Sequence, residues 1–506
     1  MRLVFFLTAL AATLPGSVLA AGSEPFETMV NRVFGPYTKA ASDFIFWGFE
    51  VGGVTFPLVV IWLIAGALFF TVYMKFINLR GFKQSLRIVS GKYDNPKDPG
   101  EVTHFQALSA ALSGTVGLGN IAGVAIAISV GGPGATFWMI LAGFLGMTSK
   151  FVECTLGVKY REIDENGVVS GGPMYYLSKG LAKRGLVRLG IILAALSALS
   201  VIGGAVGSGA FFQVNQAAAQ FINVVVPLTG GENSVFFQGG WIFGIVYAFF
   251  VGLIIIGGIK KISHVTEFLV PIMAFIYVGA ALVILFTHAG QIPEAFIAIF
   301  KGAFSPDGIT GGFIGVIIIG IQRATFSNEA GLGSAPIAHA AAKTKEPVAE
   351  GLVALLEPFI DTVVVCTMTA LVIIIVGGYE GATEGITLTS RAFASVISWF
   401  PYVLMVAAIL FAFSTSITWY YYGERSFVYL SNNSGAVKLA YKISFIAALI
   451  IGSSMTLNSI FDFAAAMLFA MAIPNMIGLY IMAPEVRRML KSYLARVKSG
   501  EIKAVK

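Results

Sequence analysis

Long apolar runs separated by short polar loops make up most of this chain. Eleven of them are long enough to cross about 30 Å of hydrocarbon as a helix, which takes about 20 residues. These runs cover 56–77, 105–130, 135–156, 189–221, 240–259, 265–286, 309–342, 348–376, 402–422, 437–455 and 460–482. The pattern therefore predicts an all-α polytopic membrane protein with eleven transmembrane helices over residues 56–482.

The two ends of the chain differ from this central domain. Arg2 precedes a short apolar run that leads to small residues, which predicts a cleaved signal peptide over 1–20. An uncleaved interfacial anchor is the alternative. Residues 21–55 mix charges with aromatic residues, a combination typical of the membrane–water boundary, and are predicted as a periplasmic lead-in. Residues 483–506 are predicted to form a basic cytoplasmic tail.

Lysine and arginine residues indicate how the chain is oriented. Of 33 such residues, 26 fall in the loops predicted to be inside and in the tail, whereas four fall in the predicted outer segments. Cytoplasmic loops carry an excess of Lys and Arg. The distribution therefore predicts a multi-pass protein of the inner (plasma) membrane, with its N-terminus outside and its C-terminus in the cytoplasm.

Composition excludes several other classes of protein. Charged residues are 12% of the chain and apolar residues 57%, while ordinary globular domains have about 25% charged residues. A soluble enzyme fits poorly, and the net charge of +7 reflects loop topology rather than a nucleic-acid surface. Cys154 and Cys366 both lie in apolar runs, so no disulfide framework is expected.

The second apolar run contains an unusual cluster of glycines. Gly114, Gly117 and Gly119 stand within six residues, and each weakens a helix by about 1 kcal/mol relative to alanine. A helix broken in the middle of the membrane would expose the N–H groups of Leu118, Gly119 and Asn120 at the start of the following half-helix. That positive dipole end suits a carboxylate. A glycine seam for close helix packing is the alternative.

A second apolar run is interrupted in a similar way. Polar residues at 323–329 divide the run at 309–342, about 200 residues after the first break. The predicted topology places the two broken helices in opposite directions. Paired breaks in corresponding halves indicate an inverted-repeat transporter with a binding site near the midplane.

These two segments also carry a resemblance to a known family. Gly114-Thr-Val-Gly-Leu-Gly-Asn120 and Phe326-Ser-Asn-Glu-Ala-Gly-Leu-Gly-Ser-Ala-Pro-Ile-Ala-His-Ala340 resemble the alanine or glycine:cation symporters, which are sodium-coupled importers of small amino acids. The resemblance covers about 56–482 and implies a LeuT-type fold with a five-plus-five inverted repeat. It also implies a sodium ion as the coupling ion, a small amino acid as substrate and the lipid bilayer as surroundings, with neither nucleic acid nor an obligate protein partner.

Other functions stay open beside symport with sodium. A proton-coupled amino-acid transporter is the first alternative, and a membrane-embedded enzyme or a channel is less favoured. The chain has no His-Glu-x-x-His motif, P-loop or nucleophile elbow. We therefore expect a transporter rather than an enzyme, with no catalytic residues.

The resemblance directs attention to candidate sodium ligands. It implies carbonyl ligands at Ser113 and Val116 and hydroxyl ligands at Ser414 and Thr415, and oxygen ligands suit a hard cation. The alternative for Ser414 and Thr415 is a hydrogen bond to a carbonyl one turn earlier.

Substrate contacts are expected around the first break and on two other helices. Trp419 lies four residues after Thr415 and so on the same helix face, where its ring would limit the size of the pocket. Packing against a neighbouring helix is the alternative for Trp419. The candidate substrate-binding residues are Thr115, Gly117, Leu118, Gly119, Asn120, Gln213, Thr415 and Trp419.

Ionisable residues inside membrane spans are costly and usually face protein or water. Arg323, with Glu329 and Asp361 as its expected partners, is a candidate gate. Lys150 and Glu153 are one turn apart, which predicts a local pair.

Two further groups are weighed in the same way. Glu357 and Asp361 share a helix face and could carry protons, although solvated or arginine-paired roles are commoner. His339 lies in the second motif and is assigned no chemistry.

Overall fold

The computed structural model describes residues 26–51, 54–237, 239–305, 312–380, 385–431 and 434–504. The predicted signal peptide lies outside these residues. The described chain is mostly helical, with two small antiparallel hairpins.

The helices are numbered along the chain, and each contiguous helical stretch is treated as one element. They are α1 (Phe26–Ile45), α2 (Leu58–Tyr73), α3 (Ile77–Arg80), α4 (Phe82–Arg87), α5 (His104–Thr115), α6 (Gly119–Gly131), α7 (Gly134–Lys159), α8 (Pro173–Ala182), α9 (Val187–Leu228), α10 (Gly240–Ile255), α11 (Gly258–Thr287), α12 (Ile292–Ala303), α13 (Gly312–Asn328), α14 (Ala335–His339), α15 (Pro347–Val376), α16 (Ile386–Ala394), α17 (Phe400–Leu430), α18 (Gly435–Gly452) and α19 (Leu457–Ser499).

Strands and irregular helical turns complete the list. Strand β1 (Gly48–Val51) pairs with β2 (Val54–Pro57), and β3 (Glu162–Ile163) pairs with β4 (Val169–Ser170). Single turns of 3₁₀ helix occupy Gly231–Asn233 and Ala289–Gln291. Wider π turns occupy Ile88–Lys92, Gly119–Gly123, Ala205–Phe212 and Phe359–Cys366, the last three inside α6, α9 and α15.

Seven helices of the described chain are long and apolar enough to cross a membrane, and α5 with α6 makes an eighth if the bent pair is one span. The three other predicted spans correspond to α2, α10 and the interrupted pair α13 with α14. Helices α2 and α10 have 16 residues each, about 24 Å at 1.5 Å per residue. The multi-pass helical architecture is therefore present, while eleven spans and a five-plus-five repeat stay predictions.

Apolar side chains cover the outside as well as the core. On α11, Phe268, Phe275 and Phe286 are 60%, 80% and 75% exposed. A soluble protein rarely exposes so much contiguous apolar surface, whereas lipid requires it. These faces are those of a membrane-embedded helix bundle.

Two central helices position the rest of the bundle. Helix α7 contacts α2, α13, α14 and α15, and α9 contacts α17, α18 and α19. Helix α19 continues without a break past residue 482, and Tyr493 near its end is buried.

Candidate functional site

The first glycine cluster breaks its helix, as the sequence predicts. Helix α5 ends at Thr115, Val116 has an extended backbone (φ −75°, ψ 90°), and α6 starts at Gly119 with its axis bent by 50°. Residues 113–128 are all buried. Unwound backbone is tolerated in a membrane only where protein or a polar cavity surrounds it, so the break is an internal feature of the bundle.

Gln213 meets this break from the long helix α9. Its Oε1 accepts the N–H of Leu118 at 3.3 Å, and its Nε2 donates to the carbonyl of Ser208 at 3.2 Å. The π turn at Ala205–Phe212 ends directly before Gln213. The amide oxygen thus occupies the place at Leu118 where a substrate carboxylate is expected.

Gly117 lies between Gln213 and α17. A Cβ at this position would stand 2.7 Å from Thr415 Oγ1 and 3.2 Å from Gln213 Oε1. A contact below 3.0 Å is not tolerated without a shift of one partner. The absence of a side chain at Gly117 therefore lets Gln213 and Thr415 approach the broken backbone together.

The two hydroxyl groups on α17 differ in their contacts. Ser414 Oγ donates to the carbonyl of Phe411, one turn earlier on the same helix, at 3.0 Å. Thr415 Oγ1 is buried and has no hydrogen-bond partner among the described residues. An unsatisfied buried hydroxyl is costly, and the Thr415 oxygen has capacity for a further polar contact at this point.

Ser113 connects α5, the first half of the first broken helix, to α17 by hydrogen bonds. Its Oγ donates to the carbonyl of Ser414 at 2.6 Å and accepts from Thr418 Oγ1 at 3.1 Å. The structure thus brings Ser113, Ser414 and Thr415 together near the end of α5, as the resemblance implies. The hydroxyl of Thr115 approaches its own helix, 3.4 Å from the carbonyls of Ala111 and Leu112.

Trp419 forms a buried wall beside the break. Its Nε1–H donates to the carbonyl of Gly114 at 3.2 Å. A Cβ at Gly209 would stand 2.2 Å from Trp419 Cβ, and one at Gly204 would stand 3.1 Å from its ring. Two glycines of α9 therefore make room for the indole, which combines packing with contact to the broken helix.

Asn120 and Asp361 connect the two broken helices. Asn120 Oδ1 accepts the N–H of Gly117 at 2.9 Å, and its Nδ2 donates to Asp361 Oδ1 at 2.6 Å. Asp361 Oδ2 accepts from Ser327 Oγ at 2.8 Å, at the end of α13. Asn120 thus braces the unwound turn, and its own N–H points to the carbonyl of Gly117.

The expected pairing of Arg323 is wrong. Among the described residues, neither Glu329 nor Asp361 forms an ion pair with it. The guanidinium instead lies over the ring of Phe461, 3.8 Å from the centroid, and Asp462 is its nearby charge. Glu329 accepts a hydrogen bond from Ser334 at 2.5 Å. The contact with α19 therefore replaces both of the carboxylate partners expected for Arg323.

An aromatic cluster accompanies this arginine. Phe326 packs against Phe212 and Phe461, with ring centroids 5.1 and 5.0 Å apart. A Cβ at Gly119 would stand 3.8 Å from the Phe326 ring, so the cluster borders the first break. Sequence reasoning missed Phe212 and Phe461, because aromatic residues are common in every span.

The expected Lys150–Glu153 pair is also absent. Lys150 Nζ lies 3.3 Å from Glu357 Oε2. Glu153 Oε2 accepts instead from the N–H of Gly333 at 3.1 Å and from Asn475 Nδ2 at 3.0 Å. Glu153 therefore accepts a backbone hydrogen bond at the second break, where Glu329, Gly331 and Gly333 have positive φ angles.

Comparison with known proteins identifies the family. Residues 47–506 match the sodium:alanine symporter family. The chain belongs to this family. It is 39% identical over 443 residues to the sodium/alanine symporter AgcS of Methanococcus maripaludis, covering 86% of this chain and 94% of AgcS. The members it resembles are transporters, not enzymes.

Two further comparisons define how far the family likeness extends. A protein of Bacillus subtilis named "Probable sodium/glutamine symporter GlnT" is 34% identical over 448 residues, covering 88% of this chain and 89% of GlnT. The crystal structure of MhsT in complex with L-phenylalanine aligns with a TM-score of 0.55 at 15% identity, covering 78% of this chain and 99% of MhsT. At that identity the alignment shows the fold alone, which is the LeuT type.

Arg161 joins two loops of the bundle. Its Nη1 donates to the carbonyls of Ala340 and Ala342, each at 2.6 Å, and its Nη2 donates to Pro99 at 2.7 Å and Thr344 at 2.8 Å. The loop before the first broken helix and the loop after the second are thereby joined. One guanidinium thus holds the two loops together through four carbonyl acceptors.

Proposed function

We propose that this chain is a sodium-coupled symporter that imports small neutral amino acids, alanine and glycine among them, by alternating access. The observation that carries the proposal is the convergence of Gln213 and the unpaired Thr415 hydroxyl on the broken backbone at Gly117. Midplane breaks of this kind are where transporters bind both substrate and coupling ion. The relative AgcS is named a sodium/alanine symporter.

Sodium is assigned to the end of α5 next to α17. The ligands we propose are the carbonyl oxygens of Ser113 and Val116 and the hydroxyls of Ser414 and Thr415. Thr415 supports the assignment, because its oxygen is buried without a partner. The hydrogen bond from Ser113 Oγ to the Ser414 carbonyl holds α5 against α17 beside these residues.

The amino-acid backbone is assigned to the break itself. Its carboxylate would take the N–H groups of Leu118 and Gly119 and displace Gln213 Oε1, which is then free to accept from the substrate ammonium group. Asn120 holds the turn in shape, and the end of α5 at Thr115 forms the neighbouring wall. The positive end of the α6 dipole favours the carboxylate.

Trp419 limits the size of the substrate side chain in this proposal. Its rigid ring is fixed by Gly114 and by two glycines of α9. GlnT is named for glutamine, so family membership alone leaves the side chain open. The small pocket that we infer for this chain depends on the Trp419 wall.

The architecture we propose has eleven transmembrane helices with a five-plus-five inverted repeat in the plasma membrane. The N-terminus lies outside and the C-terminal tail in the cytoplasm. Arg323 keeps its role as a gate residue, with Phe461 and Asp462 as its partners. Glu329 and Asp361 act through the second break and through Asn120 rather than through Arg323.

Purified protein in proteoliposomes tests the proposal. A sodium gradient should drive accumulation of labelled alanine and glycine, and a pH gradient alone should not. Accumulation that follows the pH gradient without sodium would favour the proton-coupled alternative. Saturable, sodium-independent equilibration would overturn coupling by either ion.

A further inference from the structure

Five buried titratable side chains form one continuous chain of contacts apart from the substrate site. They come from four elements and are at most 2% exposed. The members are His104 on α5, Lys150 on α7, His339 on α14, and Glu350 and Glu357 on α15. None of them is needed by the proposed sodium or substrate site.

His339 lies in the middle of this chain. Its Nδ1 is 2.5 Å from Glu350 Oε1, and its Nε2 is 2.6 Å from Glu357 Oε1. The second oxygen of Glu350 meets Nδ1 of His104. The second oxygen of Glu357 lies 3.3 Å from Lys150 Nζ.

The donors and acceptors in this arrangement determine how many protons it holds. A neutral imidazole has one N–H donor, and an ionised carboxylate has none. Both ring nitrogens of His339 face carboxylate oxygens, so both contacts become hydrogen bonds only if one extra proton is present. That proton lies on the imidazole or is shared with one of the two carboxyl groups.

Charge balance leads to the same count. Two ionised carboxylates and the Lys150 ammonium leave one negative charge when both histidines are neutral. An unpaired charge buried in protein costs several kcal/mol, and one imidazolium removes it. His104 has one ring nitrogen on a carboxylate and can donate as a neutral imidazole, so the extra proton is assigned to His339.

The remaining titratable groups of this region are acids and thiol or phenol groups, which add no positive charge. They are Asp94 near His104, Glu153 and Cys154 on α7, Glu329 at the second break and Tyr422 on α17. Cys154, His339 and Glu357 are close enough for a metal ion. However, both nitrogens of His339 already face carboxylates and Glu357 faces an ammonium group, so no lone pair of the imidazole is left for a metal.

We propose that His339 is a buried proton-binding site whose bound proton, held between Glu350 and Glu357, ties the end of the second broken helix to α15. The start of the first broken helix meets the same Glu350 through His104. His104 begins the first broken helix, and His339 ends the second. The existence of this proton site does not depend on which substrate the protein transports. Its effect on transport rests on the proposed function.

NMR of the purified full-length chain tests the proton site directly. The chain has only four histidines, so labelling with ¹⁵N-histidine gives four imidazole signals. An ordinary histidine is mostly neutral above about pH 6.5. We expect one imidazolium to persist at pH 8, to vanish in His339→Gln and to remain in the control His264→Gln, whose side chain is 70% exposed.

A second variant covers the case in which His339→Gln fails to fold. Glu357→Gln removes one negative charge, so the set is neutral with a neutral His339. The imidazolium signal at pH 8 should then be replaced by a neutral imidazole. Four neutral imidazoles in the wild-type protein at pH 8, or an imidazolium that persists in Glu357→Gln, would overturn the proposal.

Transport gives a separate readout of the same site. In the wild type, maximal alanine uptake should fall roughly tenfold as pH rises through the value at which the imidazolium signal disappears. Above that pH an unpaired buried negative charge weakens the contact between His339 and α15. The alanine concentration for half-maximal uptake should change little, and Glu357→Gln should show no such decline. Equal pH profiles in both proteins would contradict the link to transport and leave the NMR result to decide the proton site.

Discussion

Replacing Thr415 with valine separates ligand binding from structure more sharply than any other single change. Valine keeps the shape and removes only the hydroxyl. This hydroxyl is buried without a hydrogen-bond partner among the described residues. Such a group costs about 1–3 kcal/mol. Thr415→Val should therefore unfold at the same temperature as the wild type or higher when sodium is absent.

The expected effect on sodium has the opposite sign. If the Thr415 oxygen is one of about four protein ligands, its loss should remove roughly 1.4–2.8 kcal/mol, which is a 10- to 100-fold increase in the sodium concentration for half-maximal uptake. The assays are thermal unfolding in detergent with and without sodium, and alanine uptake into proteoliposomes across a sodium series. Stabilisation by added sodium should shrink in the variant.

Thr418→Val is the matched control on the same helix. The Thr418 hydroxyl is satisfied, since it donates to Ser113 Oγ at 3.1 Å. Its removal should cost about 1 kcal/mol of stability and change sodium half-saturation far less than Thr415→Val does. Wild-type sodium dependence of Thr415→Val would refute sodium binding by this hydroxyl, and so would a loss of stability without sodium as large as that of Thr418→Val.

Three other changes have defined outcomes. Gly117→Ala should abolish uptake while expression stays normal, because the new Cβ would stand 2.7 Å from Thr415 Oγ1. The control Gly123→Ala has nothing within 4 Å of its Cβ and should transport normally. Equal transport activity of the two variants would contradict the proposed site. Trp419→Ala should let leucine compete with alanine while Trp419→Phe excludes it, and a well-expressed alanine variant with unchanged selectivity would remove Trp419 as the size limit. Amino-acid amides should compete at least tenfold more weakly than free acids, since the dipole of α6 prefers a carboxylate; equal competition would reject binding at the helix end.

The features that the sequence predicted well are local. Gly114, Gly117 and Gly119 weaken one helix within a few residues, and the helix breaks there. The spacing of Thr415 and Trp419 puts both on one helix face, and both meet the first broken helix. The resemblance supplied what spacing could not, namely that α17 would lie against that helix.

The features that the sequence could not supply are tertiary. Lys150 and Glu153 are neighbours on a helix, yet the ammonium group lies against Glu357 and the carboxylate binds the second break. Arg323 finds its ring partner Phe461 in another helix. Local pairing contributes only about 0.2–0.5 kcal/mol, so contacts between distant helices override it.

The chain His104–Glu350–His339–Glu357 was missed for the same reason. Its members are spread over about 250 residues of sequence, so no spacing along one helix connects them. Only the folded bundle shows that both nitrogens of His339 face carboxylates.

Coupled movement of sodium and alanine is the central claim, and alanine-driven flux of ²²Na⁺ tests it most directly. Proteoliposomes are prepared with equal sodium on both sides, so that no sodium gradient exists, and alanine is added outside. Sodium-coupled symport predicts net entry of ²²Na⁺ that saturates with alanine, is absent with the alanine amide and is lost in Gly117→Ala. Alanine entry without any entry of ²²Na⁺ would contradict it.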